Sequence, residues 1–143
     1  MTRVAGWVAA LAHVAAWAAF LFILLWPSFY RGTTIEVRPD GAQQVVPYSA
    51  TFLEVNDWWT LIPLAVPVLL TAAGLLAVLT VRRRRTQLVL LWLSGVLLVA
   101  FCGLGMFSIG LFYLPAALAL LVSAIILSTV RRQDARAVAT VHN

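Results

Sequence analysis

Lysine is absent from this chain of 143 residues, and all ten basic positions are arginine, a bias that suits a GC-rich genome. Acids are scarcer, at five aspartates and glutamates together. Charged residues make up only 10% of the chain, against about 25% in soluble domains. The single cysteine, Cys102, excludes an intrachain disulfide and paired-thiol chemistry. It lies inside an apolar run, where an inert, buried thiol is expected. There is no phosphate loop, no HExxH zinc pattern and no nucleophile elbow. Ser49, Ser94, Ser108, Ser123 and Ser128 have no base within the sequence pattern other than His13. An enzyme is not expected, and no motif asks for a cofactor or a metal. The net charge of +5 could suggest nucleic acid, but the arginines sit beside apolar runs and build no basic–aromatic surface, so no nucleic-acid partner is expected.

What the chain does have is hydrocarbon, since 63% of its residues are hydrophobic. A soluble domain of this size lacks the polar residues to cover so much apolar surface. In lipid the backbone must satisfy its own polar groups, which leaves helices or closed barrels. Barrel strands need apolar/polar alternation, whereas the runs here are continuous and long. Four of them, at about 4–26, 58–81, 87–107 and 111–130, are long enough as helices to cross a core about 30 Å thick. The first exceeds the roughly 7–15-residue apolar region of a signal peptide and is expected to be retained. The expected fold is an all-α membrane protein, a bundle of four transmembrane helices in a single domain spanning 1–143.

The one sizeable polar segment, 27–57, carries β-prone stretches at Thr33–Val37 and Gln43–Val46 around Arg38-Pro39-Asp40-Gly41, a hairpin turn signal. Tyr48–Val55 reads as a third strand. A lone hairpin is marginal in water, so the segment is expected to pack on the helix ends or on a partner. Ile35, Val37, Val45, Tyr48, Trp58 and Trp59 are the candidate partner-binding residues. Asp57 stands where a side chain caps the second helix, with Trp58 and Trp59 in its first turn. Pro67 lies deep enough to remove a hydrogen bond from that helix. Arg131, Arg132 and Arg136 open a polar tail, 131–143, expected to fray.

Arg3, Arg82, Arg83, Arg84, Arg85, Arg131, Arg132 and Arg136 fall on one side of the spans, and Arg31 and Arg38 on the other. Cytoplasmic loops carry the excess, so both termini are expected in the cytoplasm of a multi-pass inner (plasma) membrane protein, with the hairpin outside. Trp26, Phe29, Tyr30, Trp58, Trp59, Phe107, Phe112 and Tyr113 would form an outer aromatic belt, and Trp7 and Trp92 an inner one. Beyond this topogenic role, Arg82–Arg85, Arg131 and Arg132 are candidates for anionic headgroup contact, at roughly 1 kcal/mol per residue near the surface.

No Asp, Glu, Lys or Arg lies inside the spans, where such a residue is the usual mark of transport or proton relay. The exception among titratable groups is His13, near the middle of the first helix with Trp17 one turn on. It is a candidate ligand for haem or a pigment, a relay site, or a structural hydrogen-bonding group between helices. His142 is the only other histidine, so bis-histidine ligation within one chain is not expected. Ala5, Ala9, Ala12, Ala16 and Ala19 form a small-residue stripe. Ser94, Gly95, Cys102 and Gly105 mark a similar face on the third helix, and Ala117, Ala124 and Ser128 on the fourth. Small residues let helices approach closely, which packing within one bundle explains and self-association would also use.

Four spans, a β-rich first outer loop and a very short second one resemble the layout of claudin-like tetraspan proteins. The claudin loop carries two cysteines beside its tryptophans; here Trp58 and Trp59 stand without them. The stretch from Phe107 to Pro115 resembles a segment of small bacterial four-span membrane proteins. Neither likeness implies an activity. The expected function is that of an accessory or scaffold subunit, binding another membrane protein or its own copy within membrane lipids. The alternatives are a small oligomeric transporter or channel lined by His13, Thr71, Ser94, Ser123 and Ser128, and a pigment- or haem-binding subunit of an electron-transfer complex.

Overall fold

The computed structural model describes residues 2–26, 29–39, 41–106 and 108–141, with side chains from Arg3 to Thr129. Pro27, Asp40, Phe107 and His142, and the side chains of Arg131, Arg132 and Arg136, lie outside the described residues. The chain runs as helix α1 (Thr2–Leu25), strands β1 (Tyr30–Val37) and β2 (Gln43–Ala50), a single turn α2 (Phe52–Val55), then helices α3 (Leu61–Thr80), α4 (Arg84–Leu104) and α5 (Leu114–Val141). Short 3-10 turns, Trp58–Thr60 and Gly110–Tyr113, lead into α3 and α5. Four helical segments are long and apolar enough to cross a membrane, at Arg3–Leu25, Trp58–Thr80, Arg84–Leu104 and Gly110–Thr129. The expected class, a four-helix bundle with a two-stranded antiparallel hairpin between the first two spans, is the observed one.

The helices close into a ring in which α1 packs on α3 and α5, and α4 on α3 and α5, while diagonal pairs barely meet. On α1 the buried face is made almost wholly of small residues, and Leu64, Leu91, Leu98, Leu120 and Leu127 of the other helices fill the space against it. On α1 the side chains of Ala5, Ala9, Ala12 and Ala16 are fully buried, and Ala19 and Ile23 continue the stripe. The opposite face presents Trp7, Leu11 and Val14, more than 60% exposed. Water would drive such a face to aggregate, but hydrocarbon tolerates it. Lipid supplies no hydrophobic force between helices, so close contact must hold the bundle, and contact is closest where side chains are smallest. Gly74 on α3 shows how tight it is: a Cβ there would stand 2.8 Å from Leu120 Cδ1. Ser94, Gly95 and Cys102 on α4, and Ala117 and Ala124 on α5, are likewise buried.

The connection from α4 to α5 turns on Gly110, whose amide donates to the Gly105 carbonyl at 2.8 Å. A Cβ at Gly110 would lie 2.5 Å from the Cys102 carbonyl oxygen, so no other residue fits without moving backbone. The α3–α4 link is closed by Gln87, whose Nε2 donates to the Val78 carbonyl at 2.9 Å, satisfying one of the orphan acceptors at the end of α3.

Several expected details differ. The second strand runs through Pro47 to Ala50, and what reads as a third strand divides between that strand's end and the turn α2. Pro47 is tolerated because a two-stranded sheet has only edge strands. Asp57 makes no side-chain cap; its carbonyl accepts from the Thr60 amide at 3.0 Å instead. Tyr113 is not a belt residue but fully buried, its hydroxyl donating to the Leu64 carbonyl at 2.9 Å. The last helix continues past Val130 to Val141, through a tail whose alanines favour helix.

Candidate functional site

His13 and Thr71 lie 58 residues apart, and the α1–α3 seam brings His13 Nδ1 within 3.0 Å of Thr71 Oγ1. One turn along α1, Trp17 Nε1 lies 3.1 Å from His13 Nε2. An indole N–H can only donate, so Nε2 accepts and the ring proton sits on Nδ1, which donates to Thr71. Thr71 in turn faces the carbonyls of Pro67 and Val68, at 3.0 and 2.9 Å. The result is a directed chain, indole to imidazole to hydroxyl to backbone, that leaves neither imidazole nitrogen idle. Such a histidine is neutral and joins two helices. Ligation of a haem iron or a pigment metal would first require Trp17 or Thr71 to release its nitrogen.

Two serines of the helices are committed at other seams. Ser123, fully buried, donates to the Ala5 carbonyl at 2.8 Å and ties α5 to α1. Ser128 donates to the Ala124 carbonyl at 2.7 Å and accepts Trp92 Nε1 at 3.2 Å, joining α4 to α5. Ser94 is buried on α4. Ser123 and Ser128 are thus held at seams other than the α1–α3 seam of His13 and Thr71. Among the described residues no cluster of three or more His, Cys, Asp or Glu could hold a metal ion.

Arg82 and Arg83 are exposed in the link after α3, while Arg84 and Arg85 occupy the first turn of α4, a turn that contains no acidic residue of its own. Cations at a helix N-terminus oppose the macrodipole, at about 0.3–1 kcal/mol each. Helix stability therefore does not explain their placement.

The hairpin is where the candidate partner residues lie. Its register pairs Tyr30 with Ala50, Ile35 with Val45 and Val37 with Gln43. Arg38 and Ala42 close it, with Gly41 at φ 82° donating its amide to the Arg38 carbonyl at 2.9 Å. Side chains alternate between faces, so Ile35, Val37 and Val45 share one face and Tyr48 stands on the other. Ile35, Val37 and Val45 are 61%, 67% and 63% exposed. Among the described residues the sheet is anchored at its base, where Phe29, Tyr30 and Phe52 meet ring to ring and Phe29 reaches Phe112. Trp58 and Trp59 form a separate exposed stack, ring centroids 3.8 Å apart.

Two contributors are absent from the sequence reading. Thr51-Phe52-Leu53-Glu54 forms a capping box: the Glu54 amide donates to Thr51 Oγ1 at 3.4 Å, and the Thr51 amide to Glu54 Oε2 at 2.6 Å. These hydrogen bonds hold the Glu54 carboxyl below the ordinary glutamate range. The T-x-x-E spacing is the signal that would have found it. Asn56 donates to Tyr30 Oη at 3.2 Å and to the Phe52 carbonyl at 2.9 Å, locking the turn to the base of β1, and no local pattern announces that contact.

Comparison with family profiles, curated proteins and solved structures finds no match for the chain. Its class rests on its own physics: four helices long and apolar enough to span, with large apolar side chains exposed on their outer faces, define a multi-pass membrane protein of the helical-bundle class.

Proposed function

We propose that this chain is a non-enzymatic accessory or scaffold subunit of a bacterial inner (plasma) membrane, with both termini and the arginine clusters in the cytoplasm and the hairpin outside. The hairpin docks another membrane protein or a second copy. One observation carries the reading: eight-residue strands stand free of the bundle beyond their base, with Ile35, Val37 and Val45 exposed on one face. A lone two-stranded sheet of this kind is marginal, and its unpaired edges are templates for strand addition. A partner strand would gain main-chain hydrogen bonds from the edge and side-chain contact from that face. The arginine asymmetry supports the orientation. The commitment of His13, Thr71, Ser123 and Ser128 to helix ties favours a structural bundle over a conducting or cofactor-binding one.

A photo-crosslinking residue placed at Val45 in intact cells tests the proposal, with Leu69, an exposed residue of α3, as the lipid-facing control. One discrete adduct at Val45 and none at Leu69 is expected. No adduct at Val45 or Ile35, together with a strictly monomeric protein in mild detergent, would remove it.

A further inference from the structure

At the arginine end of the bundle, α1 and α3 part to leave a groove of about 520 Å³ open to the membrane. Gly6 and Ala10 form one wall, Leu75, Val78 and Leu79 the other, and Arg3 and Trp7 stand at the mouth. Arg3 and Trp7 are four residues apart on a helix, so guanidinium and indole lie one above the other on one face. Trp7 is the most exposed tryptophan of the chain, at 73%. Its indole N–H has no hydrogen-bond partner among the described residues, whereas those of Trp17 and Trp92 are donated to His13 and Ser128. Arg3 has no ion pair among the described residues either. The groove thus joins an apolar trough to a cation and a donor at one end, both without a partner among the described residues.

We infer that this groove holds an anionic phospholipid, one acyl chain in the trough and its phosphate against Arg3, with the Trp7 N–H donated to the phosphate or ester oxygens. Charge complementarity selects this occupant over a second copy of the chain. Four of the five acids, Glu36, Asp40, Glu54 and Asp57, belong to the hairpin segment at the far end, and the fifth is Asp134 in the tail after α5's apolar stretch. The one carboxylate that a spanning helix of another copy carries at this end, Asp134, stands past the apolar stretch among Arg131, Arg132 and Arg136, whereas every anionic lipid brings a phosphate to the level of Arg3. Trough and guanidinium match the two halves of such a lipid, apolar chain below and charge above. This site is separate from the hairpin and does not depend on which side of the membrane the arginines face.

The test uses the full chain in vesicles of phosphatidylcholine with phosphatidylglycerol as the minor component, brominated chains being placed on one lipid at a time. The Trp7 signal is the fluorescence of the wild type less that of Trp7→Phe. Brominated phosphatidylglycerol is expected to quench it more strongly than brominated phosphatidylcholine at equal mole fraction. Arg3→Gln should lower that preference about fivefold, the equivalent of roughly 1 kcal/mol per basic residue at the surface. Gly6→Leu and Ala10→Leu fill the trough while leaving every arginine in place, and each should reduce the selective quenching with helical circular dichroism unchanged. A Cβ at Gly6 meets only Val78, at 3.7 Å, so the larger side chain enters the groove rather than the seam. Equal quenching by the two brominated lipids, or selective quenching that survives both filling variants, would overturn the inference.

Discussion

The indole N–H of Trp17 points at His13 Nε2 from 3.1 Å, and that one contact fixes the tautomer of the only histidine within the spans. With Nε2 occupied, the proton on Nδ1 goes to Thr71, and a side chain that reads from sequence as a functional candidate becomes a tie between α1 and α3. Thr71→Val removes the acceptor and should destabilise the bundle by roughly 0.6 kcal/mol, and by no more than about 1.7, the range measured for hydrogen bonds between membrane helices. Reversible unfolding in mixed detergent checks it. Nitrogen chemical shifts of His13 should show the Nδ1-protonated neutral ring; an imidazolium, or the other tautomer, contradicts the arrangement.

The buried hydroxyl of Tyr113 donates to a carbonyl on α3, near the entry of that helix. Tyr113→Phe keeps the ring in its pocket and should cost about 1 kcal/mol, since the Leu64 carbonyl retains its helical amide partner. Tyr113→Ala empties the pocket and should cost about 3–5 kcal/mol. A phenylalanine variant as unstable as the alanine one would mean that the hydroxyl, not the ring, dominates.

Two glycines near the α4–α5 turn should respond in opposite ways. At Gly110 a methyl meets backbone at 2.5 Å, whereas at Gly103 nothing lies within 4 Å. Gly110→Ala belongs at or beyond the upper end of the ~0.5–3 kcal/mol range of ordinary substitutions. Gly103→Ala should be neutral or stabilising by up to about 1 kcal/mol, from helix propensity. Thermal unfolding of the two variants side by side separates them.

The Thr51–Glu54 capping box makes the base of the hairpin sensitive to acid. Its hydrogen bonds favour the ionised carboxylate and lower the pKa of Glu54 in the folded state. The stability this contributes is fully present above the ordinary glutamate pKa and is lost as pH falls through the lowered one. Amide exchange at Thr51 and Glu54 should therefore speed up on acidification, beyond the intrinsic pH effect, and Glu54→Gln should abolish that dependence. Exchange that is independent of the Glu54 charge contradicts the cap.

Much of this architecture is legible before folding, because the bilayer imposes simple demands. Span length, the lack of charge within the spans and the Pro39–Gly41 turn each follow from local chemistry, and α1's alanine stripe declares its inward face by spacing alone. What stays hidden depends on partners far along the chain. Ser123 meets Ala5 across 118 residues, and Thr71 meets His13 across 58; no local pattern names either pair. Tyr113 looks like an interfacial aromatic by position, and only the rotation of its turn sends it into the core. Tyr48 shares the composition of Ile35 and Val45, yet strand register puts it on the other face. The Arg3–Trp7 groove is invisible for the same reason, since half of its wall comes from α3.

Side-selective labelling tests the central claim, a four-span bundle that displays its hairpin on the face opposite Arg82–Arg85, most directly. With the buried Cys102 replaced by alanine, Val45→Cys and Arg83→Cys each carry a single thiol. A membrane-impermeant maleimide applied to intact spheroplasts should label Val45→Cys fully and Arg83→Cys only after permeabilisation. Labelling of both positions from the same side would contradict the bundle's topology and the functional reading built on it.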